Sequence, residues 1–107
     1  MATPSTIPVT ILPEAAARIA ELGMQRQYEQ MLQHALQTVP SLRSIEVQLA
    51  LPYDTGEETS IVLEATTDPD APGIYEAEKQ WGDWVINTFP SAVWAHFRML
   101  TMPGTPP

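Results

Sequence analysis

The stretch RSIEVQLALPYDTGEETSIVLEA, residues 43–65, decides how this chain folds. Ile45, Val47, Leu49 and Leu51 alternate with Glu46, Gln48 and Ala50, which is the period of a strand with one apolar face. Ile61-Val62-Leu63-Glu64-Ala65 reads as a second strand. Residues 52–59 between them are polar and contain Pro52 and Gly56, so the two strands form a hairpin. A hairpin with one apolar face must bury that face, and the flanking segments show against what.

Upstream, Ile7, Val9 and Ile11 share one side of residues 7–12, and Pro8 confines that strand to an edge or a strand start. Pro13-Glu14 opens a helix, with proline at the first helical position and an acid in the first turn. The helix runs to about Val39, with Tyr28, Met31, Leu32, Ala35, Leu36 and Val39 at three-four spacing. Ile19 and Leu22 are out of phase with that face, and Gly23 marks a bend or a break. Pro40 stops the helix.

Downstream, residues 67–73 form a loop. Residues 74–88 form a helix with Ile74, Ala77, Trp81, Trp84 and Val85 inward and Glu76, Lys79, Gln80 and Asp83 outward. A short helical turn follows Pro90. Arg98–Met102 is either the end of that turn or a final strand, and the strand is the better reading. No internal repeat is visible. The order β, α, β, β, α, short α, then a strand predicts an α+β fold: a small mixed sheet with its helices packed on one face. We expect one domain over residues 1–107, with flexible tails at 1–6 and 103–107. The expected core is Val47, Leu49, Ile61, Leu63, Leu32, Leu36, Trp81 and Val85.

Asp54-Thr55-Gly56 is the triplet that carries the catalytic aspartate of aspartic proteases, and 107 residues is near the length of one subunit of their dimeric members. That chemistry needs two buried aspartates sharing a proton. Here Pro52-Tyr53 precedes the triplet and Glu57-Glu58 follows it, which keeps the segment wet. Asp54 supplies turn hydrogen bonds and Gly56 a positive-φ position. The triplet reads as a turn.

Composition narrows the function. There is no cysteine, which removes disulfides, thiolate metal sites and cysteine nucleophiles, and fits a cytoplasmic protein. No leader-like N-terminus and no apolar run long enough for a membrane span occurs. The net charge of −8 is uneven. Residues 1–43 hold Glu14, Glu21 and Glu29 against Arg18, Arg26 and Arg43, whereas residues 44–107 hold ten acids against Lys79 and Arg98. Such a field repels phosphate backbones and favours a basic protein partner.

His34 and His96 lie in no metal-ligand spacing, and no nucleophile motif, phosphate loop or dinucleotide fingerprint occurs. No catalytic, cofactor-binding or metal-ligating set is assigned, and the reading leans away from an enzyme. Trp81, Trp84, Phe89, Trp94 and Phe97 crowd one segment, more than one small core needs. The sequence therefore predicts a small acidic cytoplasmic interaction subunit, accessory, antitoxin-like or immunity-like, that binds a basic partner. Its expected contacts are Trp94 as aromatic anchor and Glu76, Glu78 and Asp83 as rim acids. A homo-oligomer remains open. The alternative is a small-ligand or divalent-metal-binding domain built on the acidic loops 54–70, from Asp54, Glu57, Glu58, Asp68 and Asp70.

Overall fold

A computed structural model describes residues 7–50 and 60–104. The elements are β1 (Val9–Ile11), α1 (Pro13–Leu22), α2 (Gln25–Thr38), β2 (Leu42–Ala50), β3 (Ser60–Thr67), α3 (Ile74–Thr88), α4 (Ser91–Trp94) and β4 (Phe97–Pro103). The 52–59 connection, with its Asp54-Thr55-Gly56 triplet, lies outside the described residues, as do residues 1–6 and 105–107. The expected α+β architecture is present: one mixed four-stranded sheet, with every helix that joins the core on one side of it.

The strands lie in chain order, β1-β2-β3-β4. β1 and β2 are parallel, β2 and β3 antiparallel, and β3 and β4 parallel. Each half of the chain is thus a strand, two helices and a strand, a topological repeat with no trace in the residues. Both crossovers pass over the same face, the strand order advances one way, and strand direction reverses between β2 and β3. The two crossovers must then have opposite hands, although about 98% of such units are right-handed.

Gly23 breaks the first helical region in two. It takes a left-handed conformation (φ 68°), and its N–H donates to the Ala20 carbonyl while Met24 N–H donates to Ile19, both at 3.1 Å. This pair of bonds is a Schellman cap, which ends α1 and lets α2 restart in a new phase. The phase change explains how Ile19 and Tyr28 can both be fully buried.

The register sets the two faces of the sheet. Val47 lies opposite Leu63 and Ile45 opposite Ala65, and Phe97 and Met99 pair beside Ile61 and Leu63. These side chains meet Ala15 and Ile19 of α1, Tyr28, Met31 and Ala35 of α2, and Trp81 and Val85 of α3 in one core. Leu32, Leu36 and Leu49 are partly buried at its margin. That corrects the expected core: Met31 and Ala35 face the sheet, and the leucines one residue further round the helix do not. Trp81 ties α3 to α2 through its indole N–H, which donates to the Met31 carbonyl at 3.0 Å.

The tail also differs from expectation at its start. β4 continues through Pro103, and Gly104 N–H donates to the Thr67 carbonyl at 2.6 Å.

Candidate interaction surface

β4 is an edge strand, and among the described residues no strand pairs with its outer side. Backbone parity shows what that side offers. Ile61 N–H donates to the His96 carbonyl, and Gly104 N–H bonds Thr67, so the even-numbered residues of β4 turn their backbone toward β3. Phe97, Met99, Thr101 and Pro103 therefore turn theirs outward. Proline has no N–H. Thr101 N–H is taken by Glu78, whose Oε2 accepts from it at 3.3 Å and from Thr101 Oγ1 at 2.5 Å. The outward donors left on the edge are Phe97 and Met99.

α3 forms a wall beside this edge. Tyr75, Lys79, Gly82 and Ile86 recur at i, i+4, i+7 and i+11, so they make one stripe along the helix. Between that stripe, Trp94 and β4 runs a groove of about 390 Å³, floored by Trp81, Val85, Phe97 and Met99. Arg98 also lines it, so the groove wraps around the strand edge from the core side to the open side of the sheet. A second cleft of about 240 Å³ continues past Tyr75 to Met102 and Pro103.

Among the described residues, five large apolar side chains are exposed. Four of them belong to α3 or β4: Tyr75 (82%), Ile86 (53%), Leu100 (49%) and Met102 (45%). Tyr75 and Ile86 line the groove and Met102 the second cleft, whereas Leu100 lines neither. Scattered apolar exposure is ordinary, but apolar side chains grouped along a groove mark a contact surface.

Of the expected contact residues, Trp94 and Glu78 line the groove, and Glu76 and Asp83 do not. Trp94 is half-buried and lines the groove, packed partly against the core. Glu78 lines it too, with its carboxylate bound to Thr101. Glu76 and Asp83 are exposed on α3, each one position past a stripe residue. The sequence reading did not single out Tyr75, Gly82 or Ile86, although with Lys79 they keep a four-three-four spacing. It also expected Trp84 inward with Trp81. Trp84 is half-buried instead, stacked on His34 with ring centroids 3.9 Å apart and planes 2° apart, with Phe89 edge-on at 5.7 Å. Burial holds the His34 pKa below the ordinary histidine value.

The open face of the sheet is acidic at its centre. Glu46 and Glu64 lie directly opposite across β2 and β3, an unfavourable like-charge pair. Gln48 Nε2 donates to Glu64 Oε2 at 2.6 Å. Among the described residues no group of three or more His, Cys, Asp or Glu is placed to hold a metal ion. Of the acids considered for a cation, Asp54, Glu57 and Glu58 lie outside the described residues, and Asp68 pairs with Arg43 at 2.5 Å. No described helix is long and apolar enough to cross a membrane. Searches of protein-family models, curated proteins and solved structures found no match to this chain.

Proposed function

We propose that this chain is a small acidic interaction domain, an accessory, antitoxin-like or immunity-like subunit, that docks a basic protein partner in the groove between α3 and β4. The observation that carries the reading is the groove between α3 and β4, where exposed Tyr75 and Ile86 and half-buried Trp94 line one cavity and exposed Met102 lines the cleft that adjoins it at Tyr75. The charge supplies the sign of the partner: all of the net −8 arises in residues 44–107, which include the hairpin strands, α3 and β4. Such a field speeds encounter with a basic surface, while a desolvated aromatic such as Trp94 sets how long the complex lasts.

The test is affinity capture from the native cell with the tagged chain and with its Ile86→Asp variant, run in parallel. The side chain of Ile86 is over half exposed, so the variant keeps its core. A stoichiometric basic protein held by the native chain and lost by the variant is the expected result. Equal recovery by both would remove the groove as the docking site, and recovery of no protein would remove the function.

A further inference from the structure

We infer that the groove between α3 and β4 also takes a small aryl carboxylate, its ring on the apolar floor and its carboxylate held by Lys79 and Arg98. This goes beyond the interaction reading and does not rest on it. The groove holds about 390 Å³. Small-molecule sites span about 300–1,000 Å³ and set a few polar groups against an apolar lining. Here the floor of Trp81, Val85, Phe97 and Met99 is buried, and the charged residues of the lining are Glu78, Lys79 and Arg98.

Charge complementarity gives the sign of the occupant. Lys79 and Arg98 are the only lysine and arginine of residues 44–107, and both line this groove. Against them stands Glu78 alone, whose Oε2 already accepts from the N–H and Oγ1 of Thr101. Arg18 pairs with Glu21 and Arg43 with Asp68, whereas among the described residues no ion pair includes Lys79 or Arg98. Glu76 and Asp83 flank Lys79 along α3, but both lie outside the groove, where they remain the acids for a basic partner. In a chain of net −8 the groove thus carries a formal charge of +1. A single carboxylate balances it, while a phosphate monoester would bring about −1.5 to −2 at neutral pH. A guanidinium such as that of Arg98 binds a carboxylate through two parallel N–H donors.

The lining also gives the body of the ligand. Tyr75, Trp81, Trp94 and Phe97 are four of the chain's eight Tyr, Trp and Phe residues. Rings gain from offset or edge-on contact with other rings beyond the area they bury. An occupant that covers Trp94 and Ile86 excludes a protein partner from the same groove.

The probe is naphthylacetate, titrated into the full ¹⁵N-labelled chain at neutral pH and fixed ionic strength. Naphthylacetamide keeps the ring and removes the charge, naphthylethylamine reverses the charge, and decanoate replaces the ring by an alkyl chain. We expect saturable shifts at the Gly82, Val85 and Met99 amides, with naphthylacetate at least tenfold tighter than the other three. Lys79→Gln combined with Arg98→Gln should bring the acid down to the affinity of the amide. Both side chains are exposed, so the double variant keeps its core. Arg26→Gln, away from the groove, should leave the affinity unchanged. Equal binding of acid and amide, binding of the amine or decanoate as tight as that of the acid, or an equal loss in Arg26→Gln would each overturn the inference. So would no binding of the acid at millimolar concentration. The Ile86→Asp capture involves no such ligand, so either reading can fail alone.

Discussion

The Glu78 carboxylate accepts two hydrogen bonds from one residue, the backbone N–H and the side-chain hydroxyl of Thr101. It thereby pins α3 to the edge of the sheet and closes one outward donor of β4. Glu78→Ala should expose that N–H and speed its hydrogen exchange while the Met31 and Leu63 amides stay protected. The stability lost should be about 1 kcal/mol, in the range of a single partly exposed hydrogen-bonding group. Unchanged exchange at Thr101 would show that the carboxylate does not guard the edge.

Tyr28 is fully buried and its hydroxyl has no hydrogen-bond partner among the described residues. Burial, assisted by the neighbouring Glu29 charge, pushes its pKa up to about 12. A free tyrosine loses its proton near pH 10, so above that pH the unfolded chain holds fewer protons than the folded one and stability falls with rising pH. Tyr28→Phe should be neutral or stabilising by up to about 1 kcal/mol at pH 7, since it removes an unpaired buried polar group. The variant should also lose part of the alkaline slope between pH 10 and pH 12 in denaturant titrations. A destabilised phenylalanine variant would mean that the hydroxyl is satisfied.

His34 stacks on Trp84 and joins α2 to α3. Burial lowers its pKa, so as pH falls through the unfolded value near 6.5 the unfolded chain takes up its proton first and stability drops. His34→Phe keeps a ring against the indole and should remove the part of that acid slope that sets in as pH falls below about 6.5. An unaltered slope in the variant would remove His34 from the account.

The core face of α2 can be tested by comparing two truncations. Met31 is fully buried and Leu36 only partly. Met31→Ala should cost ~2–5 kcal/mol, and Leu36→Ala should cost clearly less because less surface leaves water at that position. Equal losses would mean that the helix is rotated from the orientation described.

The strands of the hairpin were readable because Ile45, Val47, Ile61 and Leu63 keep strict alternation and all face one core. The break at Gly23 was readable from a glycine and a phase change together. β4 was harder to read. Its outward-facing Leu100 and Met102 are apolar, so the alternation of Phe97 and Met99 is blurred. Pro8 pointed to an edge or a strand start for β1, which lies at an edge. That β4 forms the other edge, and that both end pairings are parallel, depends on contacts across the chain and left no local pattern. Trp94 was picked out because it stands off the Val93–Phe97 line. The stripe of Tyr75, Gly82 and Ile86 left no apolar pattern because a lysine and a glycine separate its two large apolar residues.

Gly82 gives the most direct test of the central claim that the α3–β4 groove is the working surface. It lies in the middle of α3, and a Cβ built there meets no atom within 4 Å. A leucine at this position fills the groove and also improves helix propensity by roughly 0.5–1 kcal/mol, so lost binding cannot be blamed on unfolding. The measurement is the Kd of the captured partner for the native chain and for Gly82→Leu, with the melting temperature of each taken alongside. The account predicts an equal or higher melting temperature and binding at least tenfold weaker. Unchanged affinity in a stably folded Gly82→Leu protein would contradict it.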